Sequence, residues 1–462
     1  MTDPAHGQEF LVALRAAQPD LRLTADAADL EAHRRDETAY LEPPLPLAVA
    51  FPASTAEVAG IVRLAAAHRV PLVPRGAGTS LSGGAIAVAG GLTVSLMRMN
   101  QVLEIDEENR VVVVQPGLIN ADLKQAVAAH GLFYAPDPAS YETCTIGGNL
   151  ATNSGGLCCV KYGVTRDAVL GLEVVLADGA VIRTGGRNVK DVAGYDLAGL
   201  FVGSMGTLGI VTEATLRLMP MPAPKQTLLA FFPTIEASGE AVAGMVRDGV
   251  QPCTLELMDA FTIRAVNAAY TLGLDETAAA MLLVESDTPG AAAGEELDRA
   301  ERACAAAGAG LLVRAQDAAE ADMLRQGRRM AHWALDAMGV SRMEDVVVPR
   351  SRVPDLLRAI HEIGARRGLQ IGVFGHAGDG NLHPSFVFDR EDPTAPGRLR
   401  EAQDDLYHAT LALGGSVTGE HGIGVVKRPY LEATRGPDAV RVMRAIKAAL
   451  DPLGILNPGK ML

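Results

Sequence analysis

"LAVAFPASTAEVAGIVRLAAAHRVPLVPRGAGTSLSGG", residues 47–84, decides how the first half of this chain folds. "LAVAF" is a short apolar run that reads as a strand. Ser54-Thr55-Ala56-Glu57 then carries the capping-box pattern, and Val58, Ile61, Val62 and Ala65 recur at helical spacing. "VPLVP" is a second strand, so the stretch is a β-α-β unit. Its glycine loop, Arg75 to Gly84, comes after the second strand. A dinucleotide fingerprint would place GxGxxG between the first strand and the helix, so a nicotinamide Rossmann site is disfavoured.

Downstream, "RVVVVQPGLINADLKQAVAAHG" reads as strand, turn and helix, and "VLGLEVVLADGAVIRTGG" as a hairpin turning at Asp178-Gly179. Two more glycine-dense loops, 146–156 and 203–209, join the first. A single such loop is usually an ordinary tight turn. Three between residues 75 and 209, separated by strands, point instead to backbone N–H groups that cradle pyrophosphate. The passage 136–163 is longer than a compact domain needs unless it has a function. Prolines in "MPMPAPK" mark a boundary near 219–225, and from about 226 to 410 short strands alternate with amphipathic helices. That texture predicts an antiparallel sheet with helices on one side. The last fifty residues are again punctuated by glycine and are expected to return to the first domain.

The 462 residues exceed one ordinary core and suggest two to three domains. With 41 basic and 55 acidic residues the net charge is −14, which excludes nucleic acid as a natural partner. No apolar run approaches the roughly 18 residues of a membrane span, and "MTDPAHGQEF" is unlike a signal peptide. A cytoplasmic protein without its own anchor is expected. Five cysteines (Cys144, Cys158, Cys159, Cys253, Cys304) show no CxxC spacing, so they read as small buried residues.

"GHAGDGNLHPSF", residues 375–386, places His376 and His383 around Asp379-Gly380. A two-residue turn there pairs the histidines directly, with Cβ atoms about 5 Å apart, close enough to share a cation. The third ligand is best sought in "TGEHGIG", where Glu420 and His421 have glycine neighbours. Adjacent extended residues point opposite ways, so one can bind metal while the other faces substrate as a base. Two His and one Glu with open positions make a catalytic type of site. Arg328 and Arg329 read either as a solvated helix face or as a guanidinium fork for a carboxylate.

Together "PRGAGTSLSGG", "PDPASYETCTIGGNLATNSGG", "KYG", "GYDLAGLFVGSMGTLGIVTEATLRL", "GHAGDGNLHP", "GEHGIG" and "LNPGKML" resemble the FAD-linked D-2-hydroxyacid dehydrogenases of the vanillyl-alcohol-oxidase fold. That group includes cytochrome-linked D-lactate dehydrogenase, the flavin subunit of glycolate oxidase, and D-2-hydroxyglutarate dehydrogenase. The resemblance spans residues 42–462. It implies an α+β chain: an N-terminal helical segment (1–41), a two-subdomain FAD-binding domain of the PCMH type (42–219), a substrate or cap domain with an antiparallel sheet and the metal site (220–410), and a C-terminal segment (411–462) returning to the FAD domain.

The resemblance further implies that Pro74, Arg75, Gly76, Ala77, Gly78, Thr79 and Ser80 hold pyrophosphate and isoalloxazine. Thr145, Ile146, Gly147, Gly148, Asn149, Thr152, Asn153, Ser154, Gly155 and Gly156 share that task. Gly206, Gly209 and Ile210 close on the adenine side, and Pro138, Tyr162, Gly163 and Asn457 complete the contacts. Many relatives attach the flavin through a His where this chain has Thr79, so non-covalent FAD is expected, although Cys158 and Cys159 lie near the flavin segment.

By the same resemblance His376, His383 and Glu420 bind zinc or manganese, His421 is the base, and Arg328 holds the substrate carboxylate. A dicarboxylate needs a second cation, and Met343 stands where one is expected, beside Arg342 and the acidic Glu344 and Asp345. A monocarboxylate such as D-lactate, glycolate or a larger D-2-hydroxy acid is therefore favoured. D-2-hydroxyglutarate, or a place as flavin subunit of a glycolate oxidase complex, is the alternative; a flavin oxidase and a metal-dependent hydrolase are further competitors. Quinone, cytochrome, electron-transfer flavoprotein or an iron-sulfur subunit would accept the electrons, with peripheral membrane association through that partner, and a homodimer is compatible.

Overall fold

The computed structural model describes residues 4–38 and 40–462, the first three of them by backbone alone. Met1–Asp3 and Ala39, parts of the expected N-terminal segment, lie outside the described residues. Two compact units result. The first comprises Met1–Gly155, Gly163–Met221 and Glu420–Leu462, and the second Gly156–Tyr162 and Pro222–Gly419.

In the first unit the helix Thr55–His68 forms where the sequence places it. Ser54 Oγ accepts the Glu57 amide at 3.2 Å, Glu57 reaches back to the Ala53 amide at 2.7 Å, and Arg69 ends the helix in the left-handed region. Val58, Ile61, Val62 and Ala65 are all buried against Ala48, Ala50, Leu72, Leu92 and Val94. Each Val or Ile so buried contributes about 1.5–3 kcal/mol. The flanking strands, Ala48–Phe51 and Leu72–Arg75, do not pair with each other. Leu92–Ser95 lies between them, parallel to both, and Arg22–Thr24 adds an antiparallel edge.

A second sheet in this unit is wholly antiparallel, in the order Val102–Asp106, Val111–Val114, Ile210–Arg217, Val169–Val175, Val181–Gly185. Asp178-Gly179 sits in the turn of its outer hairpin, with Gly179 at positive φ.

The second unit is built on one antiparallel sheet. Its order is Leu311–Arg314, Gln226–Phe232, Ala280–Ser286, Thr254–Asp259, Gln370–His376, Asn381–Phe388, Val340–Met343, with Val346–Val347 also on Asn381–Phe388. Helices cover both faces, not one as expected. Ala260–Tyr270, Ala318–Arg329 and Ala331–Ala337 contribute Ile263, Leu324 and Leu335 to a core with Leu229, Phe231, Met281, Leu283 and Phe374. Ile235–Arg247, Ala292–Ala306 and Val353–Arg367 also pack on the central strands, whose residues of the opposite parity, such as Leu228, Leu282 and Val373, are buried as well. Strands apolar at both parities, unlike alternating ones, need cover on both sides. No helix among the described residues is long and apolar enough to cross a membrane.

Candidate active site

The three glycine loops of the first unit converge. A Cβ on Gly76 would lie 2.1 Å from Thr145 Oγ1, and one on Gly206 2.4 Å from Pro74 Cγ. Gly206 also has φ of +66°, so glycine is needed there twice over. Asn457 ties two of the loops together by donating to Gly84 O at 3.0 Å and Met205 O at 2.7 Å. Arg75 is buried and donates to Ala85 O at 3.2 Å; its guanidinium fills the space that a Gly78 side chain would occupy.

The amides divide in a telling way. Those of Gly76, Ala77, Gly78 and Thr79 donate to no protein acceptor among the described residues, which suits a pyrophosphate cradle. At the start of the helix Ile146–Thr152 the protein takes them: Ile146 N–H goes to Leu118 O, Gly147 to Pro116 O, and Gly148 to Thr145 Oγ1. Asn149 is internal scaffolding, accepting Asn120 Nδ2 at 3.0 Å and reaching Ser154 Oγ at 3.5 Å. Beyond it Thr152 and Ser154 hydroxyls lie 2.7 Å apart, Asn153 is left-handed, and its Oδ1 accepts the Arg166 amide. Gly155 follows at the edge of the unit.

Other expected contacts have structural employment. A Cβ on Gly209 would meet Val174 at 2.4 Å, and Ile210 is in the core. Pro138 O accepts Tyr141 N, and Gly163 closes on Asp167. Gly156 and Tyr162 group with the second unit, where the Tyr162 hydroxyl donates to Asp287 at 2.6 Å.

In the second unit the histidine hairpin has a different register from the expected one. His376 stands opposite Asn381, and His383 opposite Phe374. The loop is four residues, Ala377–Gly380, because the Gly378 N–H goes to Leu255 O of the neighbouring strand, not across the hairpin. The slip is two residues, so every side chain keeps its face. The imidazoles therefore still meet, as diagonal neighbours with ring centroids 5.2 Å apart. Glu420 joins them: one ligand atom from each of His376, His383 and Glu420 lies within 4.8 Å of the others.

Two buried carboxylates arrange this triad: Glu256, which sequence reasoning missed, and Asp345, which it read only as an acidic neighbour of the substrate. Glu256 Oε1 is 2.6 Å from His376 Nδ1. An ionised carboxylate can only accept, so the ring N–H donates and Nε2 is left as the ligand atom. Burial works against the Glu256 charge, but Arg328 and His376 outweigh it and hold its pKa below the usual carboxylate range. Asp345 accepts Asn381 Nδ2 at 2.7 Å on one oxygen, and Thr418 Oγ1 at 2.6 Å and the Gly419 amide at 2.9 Å on the other. Gly419 could not be larger, since a Cβ would fall 2.4 Å from Asn381 Nδ2. The available signal was an acid on an otherwise largely apolar strand, as in "TLELMD".

Arg328 is not on a solvated helix face. It is 3% exposed, paired with Glu256 Oε2 at 2.5 Å, and its guanidinium lies 4.8 Å from the Phe374 ring centroid. Glu344 and Asp345 are likewise turned inward, Glu344 accepting from Gln403 and Tyr407, so they present no acidic face to a substrate as expected. Met343 packs beside the core. His421 lies in the first unit, its carbonyl accepting from Ser82 Oγ at 2.9 Å.

The C-terminal domain model of FAD linked oxidases matches residues 221–461, and an FAD binding domain model matches 46–185. The glycolate oxidase subunit GlcD of Bacillus subtilis strain 168 is 46% identical over 418 residues, 90% of this chain and 89% of that protein. A D-2-hydroxyglutarate dehydrogenase of Xanthomonas citri pv. viticola is 37% identical, covering 100% and 97% respectively. Among solved structures, p-cresol methylhydroxylase with substrate bound superposes with a TM-score of 0.83 at 18% identity, over 99% of this chain and 97% of that one. This last likeness speaks for the fold alone.

Proposed function

Because the chain belongs to the FAD-linked oxidases and is an FAD-dependent oxidoreductase of the hydroxyacid-oxidising kind, we propose that it is a metal-dependent D-2-hydroxyacid dehydrogenase. Its substrate class is a monocarboxylate such as D-lactate, glycolate or a larger D-2-hydroxy acid, converted to the 2-oxo acid. The observation that carries the reading is the His376, His383 and Glu420 triad with Glu256 behind His376, a donor set and supporting carboxylate typical of a catalytic divalent ion.

When bound, FAD would supply the acceptor for the C2 hydride, and zinc or manganese would supply polarisation of the substrate hydroxyl. The chain's own residues do the rest. The amides of Gly76–Thr79 hold the pyrophosphate without covalent attachment of the flavin, and the stitched segment Thr152–Gly155 supports the ring system. His376 Nε2, His383 and Glu420 would hold the cation. Arg328 binds the carboxylate; guanidinium carries five donors in a fixed fork, so Glu256 does not exhaust it. His421 accepts the hydroxyl proton, the step that hydride loss from C2 requires.

The monocarboxylate preference rests on Met343, an apolar group packed beside the core where a second carboxylate would call for a cation. A second reading, service as the flavin subunit of a larger complex with a separate electron acceptor, is favoured by the subunit status in the name of the Bacillus relative. A metal-dependent hydrolase is set aside by the matched FAD-binding domain.

The test is anaerobic flavin bleaching by a panel of D- and L-2-hydroxy acids, repeated after chelation and after metal is restored. Bleaching by D-lactate or glycolate, abolished by chelation and recovered with zinc or manganese, is expected. Full-rate bleaching by metal-free enzyme would refute the metal's part, and a stronger response to D-2-hydroxyglutarate would refute the monocarboxylate preference.

A further inference from the structure

Glu256 is a carboxylate that contacts both a candidate metal ligand, His376, and the candidate carboxylate binder, Arg328. It lies on the strand Thr254–Asp259, is 1% exposed, and divides its two oxygens: Oε1 to His376 Nδ1 at 2.6 Å and Oε2 to Arg328 at 2.5 Å. On the far side Arg328 lies over Phe374, and Phe374 in turn packs against the His383 ring, with centroids 5.5 Å apart. The guanidinium is thus gripped between a carboxylate that orients one histidine and a ring that packs against the other.

We propose that Glu256 is a positioning residue that sets the metal ligand His376 and the carboxylate-binding Arg328 in one fixed relation. This rests on the function proposed above. The spacing between cation and guanidinium then selects substrates whose carboxylate is adjacent to the carbinol carbon, that is, 2-hydroxy acids and not 3-hydroxy acids. Mere charge balance for Arg328 would not need the second oxygen on a ligand imidazole. Glu285 supplies the comparison: it is equally buried, on the adjacent strand, and paired with Arg325 from the same helix at 2.7 Å, but its other partners are Lys225 and Thr227 and not a metal ligand.

The experiment titrates FAD-loaded enzyme with zinc against a chromophoric chelator. It compares wild type with Glu256→Gln and Glu285→Gln, and follows KM and kcat for D-lactate or glycolate against 3-hydroxybutyrate. Glu256→Gln is expected to bind zinc about 10–100-fold more weakly, the usual cost of losing a supporting carboxylate. Its KM for the 2-hydroxy acid should rise, and its preference over the 3-hydroxy acid should narrow. Glu285→Gln should leave zinc affinity unchanged although it loses thermal stability. If Glu256→Gln fails to fold for loss of the Arg328 ion pair, Glu256→Gln combined with Arg328→Met removes that cation. The double variant should still show the weakened zinc binding relative to Arg328→Met alone. Wild-type zinc affinity in the Glu256 variants overturns the assignment while leaving the proposed function intact. A wild-type enzyme that takes up neither zinc nor manganese overturns the metal reading, and this assignment with it.

Discussion

Asp345 accepts the Gly419 amide at 2.9 Å, one residue before Glu420, while its other oxygen holds Asn381 Nδ2 at 2.7 Å. One fully buried carboxylate thereby fastens the segment that leads into Glu420 to the start of the strand that carries His383.

Asp345→Ala should therefore release Glu420 from the two histidines. Bonds to a charged acceptor are worth about 1.5–3 kcal/mol each, with partial compensation by water. The expected outcome is a loss of zinc or manganese retained through gel filtration, measured by atomic emission, with the flavin-to-protein ratio unchanged. Loss of flavin with metal retained would contradict it.

His421→Ala should keep both FAD and metal but lower kcat by about 10²–10⁴, the usual contribution of a general base. Substrate KM should change little. Stopped-flow anaerobic bleaching separates this from a slow reoxidation step, and an unaltered bleaching rate would remove His421 from the proton's path.

Gly206→Ala should lose flavin. Its Cβ would enter Pro74 at 2.4 Å from a backbone held at φ of +66°, a combination costing about 1–3 kcal/mol at the junction of two loops. Gly186→Ala, with open space around its Cβ, serves as the comparison and should load normally. Flavin absorbance per protein after dialysis is the measurement.

Acid should weaken the second unit through Glu285. Burial disfavours its charge, yet Lys225 and Arg325 pull its pKa down to about 2 from an ordinary 4.5. A depressed carboxylate binds its proton more readily in the unfolded chain. Its contribution is therefore complete above about pH 4.5 and is lost as pH falls towards 2. The difference amounts to about 3 kcal/mol. Between pH 5 and pH 2, urea denaturation of wild type should lose about that much more stability than Glu285→Gln does; parallel curves would refute the pairing.

Local rules made much of this legible. The cap at Ser54, the buried stripe from Val58 to Ala65 and the turn at Gly179 depend on neighbours a few residues away, and the sequence states them. The hairpin register did not follow, because Gly378 is taken by Leu255, a partner from a distant strand that no turn rule can foresee. His376 and His383 were nevertheless rightly brought together, since a slip of two preserves parity. Glu256 escaped notice for the same reason as the register: its partner His376 is 120 residues away. Charge pattern leaves Arg328 open between a solvated face and a carboxylate fork because its helix is strongly polar; the Glu256 carboxylate and the Phe374 ring, both distant in sequence, go with its burial.

The clasp of Asn457 on Gly84 spans 373 residues of chain, and Leu72 makes a bridge to Leu456 across a similar interval. During synthesis the glycine loop 75–84 emerges early and must wait, unfastened, until the whole of the second unit has been translated. The joining of the glycine loops 75–84 and 203–209 is thus a late product of biogenesis. A chain stopped at Met221 contains every strand of the first unit's two larger sheets yet lacks the clasp, so such a fragment should capture the cofactor poorly.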